Sequence, residues 1–269
     1  MKKIDNMKEY FGIAGRQILI TGSTSGLGLA MAQALLGEGA KVAITGRDQS
    51  KIDQAMSTIG SLPGKCIGSR IDVRDEQSIE KGLGEVVKTW GGIDILINNA
   101  GIGMRTVNPE FMTDPKPFWT VPSAAFRDVI DTNLIGYFLV AKAVMPYFLN
   151  EGRGRIINIG VSNGTQKRKG FIPYGPSRAG TESLSHIMAQ DLAGSGITVN
   201  LLQPGGATMT GMLPEEAVTK VSLQPLHPDV MAKPTLFLCS DAAEGLNDEE
   251  IIARDFDAWH RDWFDRRRR

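Results

Sequence analysis

The stretch LITGSTSGLGLA, residues 19–30, decides how this chain folds. Leu19 and Ile20 read as the end of a strand. Gly22, Gly26 and Gly28 then carry the chain through a turn into the helical pattern GLGLAMAQALLGEG of residues 26–39. The first glycine lets the backbone turn sharply out of the strand. The next two let it approach a ligand and let helix pack on strand. The helix that follows offers free N–H groups and a partial positive charge to a pyrophosphate. Glycine turns are common, but a strand before and a helix after are the context a dinucleotide fingerprint requires.

Outward from this turn, short β-rich runs alternate with helical patterns. QILIT (17–21), KVAIT (41–45), KCIGSRI (65–71), IDILIN (93–98), RIINI (155–159), ITVNLL (197–202) and EIIA (250–253) read as strands. Helical patterns run over 26–39, 75–90 and 124–149. Strands that are apolar throughout are buried on both faces, as in a parallel sheet between two layers of helices. The fold class expected is α/β, a doubly wound, Rossmann-like parallel sheet of about seven strands with helices on both faces. With no internal repeat, linker or low-complexity block, residues 1–269 read as one domain. It has a short N-terminal extension over about 1–14 and a C-terminal tail over about 255–269. Two irregular segments, 101–123 with its four prolines and 204–231 with Met209, Met212 and Met231, follow strands. They are expected at the carboxyl edge of the sheet, where ligands bind in this architecture.

The second strand ends in AITGRDQ. A site selective for NAD places an acidic residue about twenty residues beyond the glycines to accept from the adenosine ribose. Arg47 stands there instead, and a guanidinium grips a 2′-phosphate through charge-assisted hydrogen bonds. NADP is therefore the expected cofactor, with NAD possible. Asp48 either caps the next helix or reaches the ribose.

The 30 basic residues match the 30 acidic ones, which removes the electrostatic case for nucleic acid. Arg266–Arg269 is read as a solvated end. Cys66 and Cys239 are isolated, as expected of free thiols in a reducing cytoplasm. His186, His227 and His260 lack metal-ligand spacing, so no metal is expected. The N-terminus has charges but no apolar core of a signal peptide, and no apolar run reaches the ~18 residues of a bilayer span. The chain is expected to be cytoplasmic, with no membrane partner.

Five ordered motifs carry a resemblance. They are the TGxxxGxG loop from Thr21 to Gly28, NNAG from Asn98 to Gly101, DTN ending at Asn133, the tyrosine motif at Tyr174, and PGG from Pro204 to Gly206. With the DV pair Asp72 and Val73, they make the chain resemble a short-chain dehydrogenase/reductase over nearly its whole length. The resemblance implies hydride transfer between a nicotinamide and a carbonyl or alcohol carbon of a small-molecule substrate. It implies Tyr174 as general acid/base, a cation four residues later holding the nicotinamide ribose, Asn133 holding a relay water, and a serine after the fifth strand orienting the substrate oxygen. The implied cofactor contacts are Gly22, Ser23, Ser25, Gly26, Leu27, Gly28, Arg47, Asp72, Val73, Asn99, Gly101, Tyr174, Arg178, Pro204, Gly205 and Thr208. A homodimer or homotetramer built through helices near 124–149 and 175–193 is implied as well. The chemistry explains the need for the cation. A free tyrosine titrates near ~10, too high for a base at neutral pH, and a unit charge about 4 Å away supplies up to roughly 4 kcal/mol at an effective dielectric of 20. Residues i and i+4 share a helix face, so Tyr174 and its cation can act together.

This sequence departs from the family in two places. Arg178 stands where the family has lysine. The charge is kept, but arginine is longer and planar and does not readily pass on a proton. A slower enzyme, a cofactor-binding member without redox activity, such as a lyase, isomerase or nucleotide sensor, and a substitution made in the laboratory are all compatible with it. The family's serine position, thirteen residues before the tyrosine, is Val161. Ser162 lies one residue later and is the candidate, with Asn163 a possible helper from the side. At the C-terminus, Trp259 and Trp263 at i and i+4 pack on a neighbouring subunit or on the protein's own core. Phe118, Trp119, Met209, Met212 and Leu213 are candidate pocket residues for an apolar or cyclic substrate. The cations of QKRKG (166–170) suit an acidic substrate or a solvated loop.

Overall fold

The structure, a computed structural model, describes residues 12–214 and 224–267. Most of the expected N-terminal extension, residues 215–223 of the second irregular segment, and Arg268 and Arg269 lie outside the described residues. The seven strands are β1 (Gln17–Ile20), β2 (Lys41–Gly46), β3 (Lys65–Arg70), β4 (Ile95–Asn98), β5 (Gly154–Ile159), β6 (Ile197–Gln203) and β7 (Glu250–Ile252). They pair in the order β3-β2-β1-β4-β5-β6-β7, every pair parallel. The order reverses between β1 and β4, and that switch point opens a crevice at the strands' carboxyl ends.

Successive residues of a strand point to opposite faces. Ile18 and Ile20 therefore face one layer, with Val42, Ile44, Ile95 and Ile97, while Leu19 faces the other, with Ala43 and Leu96. The first layer contains helices α1 (Gly26–Gly37) and α2 (Gln49–Ile59), which deliver Met31, Leu35, Leu36 and Ile52 to its core. The second contains α3 (Glu76–Trp90), α4 (Ser123–Ile130), α5 (Gly136–Glu151) and the 18-residue α7 (Tyr174–Asp191), which follows the single turn α6 (Asn163–Gln166). Ile79, Leu83, Val140, Val144 and Phe148 fill that core. α8 (Ala232–Cys239) and α9 (Phe256–Arg267) complete the first layer.

Helix ends follow local chemistry. Asp48 caps α2 by accepting from the N–H groups of Ser50 and Lys51, the first of the two roles considered for it. Asp75 caps α3 through Gln77 N–H, and Gly91, at φ 90°, ends it. Between α4 and α5 the chain stays helical but widens to a π-turn over Asp131–Ile135, an irregularity that often marks a functional position. The resulting helix, Ser123–Glu151, is long and apolar enough to cross a membrane by length and composition, which corrects the expectation that no such run exists. Its face of Tyr137, Val140, Ala141, Val144 and Phe148 is nonetheless buried inside the protein. α9 settles the tryptophans: Trp259 and Trp263 stack on each other and set their edges against Phe237, so they pack on the protein's own core.

Candidate active site

At the switch point, β1 delivers its carboxyl end to the glycine loop. Gly22 has φ 62°, a left-handed conformation, and a Cβ there would lie 2.7 Å from Ala100 Cα. A Cβ on Gly28 would meet Asn99 Nδ2 at 2.5 Å and Gly22 O at 2.7 Å. Side chains behind the loop hold it in shape. Thr21 Oγ1 accepts from the N–H groups of Asn99 and Ala100, and Asn99 Nδ2 donates to the carbonyls of Thr21 and Gly22. Ser23 is buried. Its hydroxyl donates to Ile20 O and accepts from Thr45 N–H, so it shapes the loop from inside. Ser25 precedes α1 without a side-chain cap, leaving the first N–H groups of the helix for a ligand. A cradle that excludes Cβ atoms and presents uncapped helix N–H groups fits a dinucleotide pyrophosphate. Gly26 and Leu27 sit at its rim.

Arg47 is exposed beyond β2, and Arg70, on the neighbouring strand end, donates from Nε to Arg47 O at 3.0 Å. The register Gly46↔Arg70 sets the Arg70 side chain against the Arg47 backbone. Arg70 was not among the sequence candidates, since its contact with Arg47 depends on the pairing of β3 with β2. Asp72 and Val73 follow β3. Arg74 grips the Asp72 carboxylate through Nε and Nη2, and this hydrogen bonding, with charge from Arg74 and Arg47, holds Asp72 below the usual carboxylate range despite partial burial. Val73 is buried and packs against Gly136. On the far side of the crevice, Pro204 and Gly205 follow β6. Thr208 is nearly buried, its hydroxyl donating to Gly206 O, and it bridges to Leu226. From there Thr210 reaches over Gly26.

The catalytic candidates come from β4, β5, the π-turn and α7. Tyr174 opens α7, its ring 6.4 Å from that of Phe171 in a small cluster with Met104 and Phe111. One helical turn on, the Arg178 guanidinium lies over the Tyr174 ring at 5.4 Å and over the Tyr137 ring at 5.6 Å. Arg178 is only 3% exposed. Its Nη1 donates to Tyr137 Oη at 2.9 Å and to Ile159 O at 3.0 Å. Its Nη2 lies against Gly101, where a Cβ would meet it at 2.3 Å. Burial by itself would lower the Arg178 pKa, but Tyr137 and Tyr174 more than offset it and the net direction is upward, so the cation is permanent. Burial pushes the Tyr137 hydroxyl up, against the opposing pull of Arg178.

Asn133, in the π-turn, is fully buried and clasps the Ile102 peptide, accepting from its N–H at 2.8 Å and donating to its carbonyl at 3.0 Å. Its amide also donates to Ser177, and its backbone carbonyl accepts from Thr181 Oγ1 at 2.9 Å. These contacts hold the 101–102 backbone beneath Arg178. Ser162 sits just past β5 at the head of α6, its hydroxyl 3.2 Å from Thr165 Oγ1, and Asn163 is exposed. The sequence reading missed Tyr137, Ser177 and Thr181. Tyr137 stands four residues after Asn133, and that helical spacing was the one available signal.

The irregular segments divide into two clefts. One, of about 470 Å³, is lined by Phe118, Trp119 and the cations Lys116, Lys167, Arg168 and Lys169 among others. The other, of about 610 Å³, lies beside Gly26 and includes Met209, Leu213 and Arg105. Met212 packs on Gly103, and Arg105 donates to Gly211 O, so the two segments meet over the crevice.

A family model described as short chain dehydrogenase matches residues 16–220. A 3-oxoacyl-[acyl-carrier-protein] reductase of Aquifex aeolicus (strain VF5) is 33% identical over 247 residues, 89% of this chain and 96% of its own. Among solved structures, a 3-ketoacyl-(acyl-carrier-protein) reductase from Brucella melitensis complexed with NADH superposes with TM-score 0.78 at 26% identity, covering 90% of this chain and 97% of its own. An actinorhodin polyketide ketoreductase variant with NADPH gives TM-score 0.78 at 27% identity, covering 88% and 95%.

Proposed function

This chain belongs to the short-chain dehydrogenase family of NAD(P)-dependent oxidoreductases, and on that premise we propose that it moves a hydride between NADP(H) and a ketone or secondary alcohol, with Tyr174 as the general acid/base. The observation that carries this reading is the buried Arg178 guanidinium over the Tyr174 ring, 5.4 Å from its centre, near the carboxyl end of β4. When bound, the coenzyme supplies or accepts the hydride at its nicotinamide. Tyr174 gives its phenolic proton to the substrate oxygen during reduction and takes it back during oxidation. Ser162 hydrogen-bonds the same oxygen. Arg178 sets a buried positive charge beside the Tyr174 ring, where charge changes during the proton transfer. Asn133 keeps the backbone under the guanidinium in place, and a relay water at this residue remains part of the proposal.

Gly22, Ser25, Gly26, Leu27 and Gly28 hold the pyrophosphate, with Asn99 and Ser23 stiffening the loop. Arg47 and Arg70 face the 2′-phosphate, while Asp72 and Val73 border the adenine. Asn99, Gly101, Tyr174 and Arg178 line the nicotinamide side, and Pro204, Gly205 and Thr208 close over it. The preference for NADP rests on Arg47 and on Asp48 being engaged as a helix cap. In this proposal the whole chain is one domain working in the cytoplasm as a homodimer or homotetramer. The exposed apolar residues Phe126, Ile135, Phe138 and Ile187 on and beside α4, α5 and α7 support such association.

The test is turnover with a panel of ketones and 3-oxo esters, following coenzyme oxidation, together with titration of both coenzymes. The expected outcome is turnover with NADPH and tighter binding of NADPH than NADH. Equal affinities would remove the argument from Arg47. Coenzyme binding without turnover of any carbonyl would favour a non-redox family member, the reading that Arg178 in place of lysine also permits.

A further inference from the structure

We propose that Tyr137 is a positioning residue for Arg178, and that the two form a matched pair in which the Tyr137 hydroxyl sets the guanidinium beside Tyr174. This rests on the reading of Tyr174 and Arg178 given above. A buried cation must have its donors satisfied, and an arginine brings five N–H groups in a rigid plane. Nη1 carries the hold on that plane, through Tyr137 Oη at 2.9 Å and Ile159 O at 3.0 Å. Nε is buried with no hydrogen-bond partner among the described residues. The Tyr137 hydroxyl donates its own proton to Ile159 O at 3.3 Å, which turns an oxygen lone pair toward the guanidinium. Three elements thus meet at one point: α5 through Tyr137, the end of β5 through Ile159, and α7 through Arg178.

The consequence is directional. With Nη1 fastened to Tyr137 and Ile159, the opposite edge of the plane, Nη2, is aimed at Gly101, whose missing side chain makes the room. Gly101 lies three residues past the end of β4, on the nicotinamide side of the proposed coenzyme site. The guanidinium carbon lies 5.6 and 5.4 Å from the centres of the Tyr137 and Tyr174 rings. Without the Tyr137 hydroxyl, Nη1 would keep only its hydrogen bond to Ile159 O, and the plane would be less firmly set. A lysine at 178 has no such need, because an ammonium on a flexible stem chooses its donors' directions. The hydroxyl should therefore matter only while residue 178 is arginine.

The experiment is a double-mutant cycle of Tyr137→Phe and Arg178→Lys on the full-length protein. It reads NADPH affinity by fluorescence titration and, on the best carbonyl of the panel, kcat and KM separately. In the Arg178 background, Tyr137→Phe should lower kcat by about tenfold and weaken NADPH binding severalfold, with the carbonyl KM little changed. In the Arg178→Lys background the same change should alter both by less than about twofold. Equal factors in the two backgrounds would overturn the pairing and leave Tyr137 a packing residue. If no carbonyl is turned over, the functional reading fails, and the NADPH affinities still decide whether the pair is coupled. If Tyr137→Phe is insoluble, the double variant must recover solubility; a double variant as insoluble as the single one overturns the proposal.

Discussion

At the phosphate end of the crevice, the groups turned toward a ligand are backbone N–H groups of the glycine loop and α1. The side chains of Thr21, Ser23 and Asn99 are committed to holding that backbone. At the Tyr174 end the arrangement is inverted: the working groups are side chains, and a buried charge is fixed by Tyr137, Ile159 and the space over Gly101. The first end depends on the absence of side chains, with an exposed charge only at its margin. The second depends on a few buried hydrogen bonds whose loss leaves a charge poorly placed in a low-dielectric interior. Binding and chemistry should therefore separate under mutation.

The largest effect on binding is expected from Gly28→Val. Its side chain would collide with Asn99 Nδ2 and Gly22 O, so NADPH affinity should fall about 100-fold, or roughly 2.8 kcal/mol. Near-normal affinity in a fluorescence titration would break the backbone-cradle half of the comparison. A smaller effect is expected from Arg47→Ala, with NADPH binding weakened about tenfold and NADH binding changed less than about twofold. Parallel losses for both coenzymes would move Arg47 away from the 2′-phosphate. The smallest concerns Asp48→Ala, which should lower stability in urea by about 1 kcal/mol through loss of the α2 cap. Coenzyme affinities should stay unchanged, and a shift in NADH affinity alone would return Asp48 to the ribose.

The two ends also differ in how far they could be read from the sequence. The phosphate end is local: strand, glycines and helix are contiguous, and the two-face burial of β1, β2 and β4 is written in unbroken apolar runs. The edge strands β3 and β7 are only partly buried and carry polar residues, so they were legible from their place in the alternation of strands and helices rather than from an apolar run. The Tyr174 end is assembled from segments far apart in the chain. The i, i+4 relation of Tyr174 and Arg178 was readable, whereas the Tyr137–Arg178 bond spans 41 residues and two helices. The same limit hid the division of Phe118 and Met209 between separate clefts and left the destination of Trp259 and Trp263 open until Phe237 was found beneath them. The π-turn that presents Asn133 left no periodic trace, because one widened turn barely disturbs a long helical pattern.

The most direct test is single-turnover oxidation of bound NADPH by Tyr174→Phe, measured beside the wild-type protein on the same carbonyl. The account predicts a loss of about 1,000-fold in the rate of hydride transfer with NADPH affinity preserved within about twofold. A variant that still transfers hydride at a rate close to wild type would contradict Tyr174 as the acid/base and, with it, the role given to its buried cation.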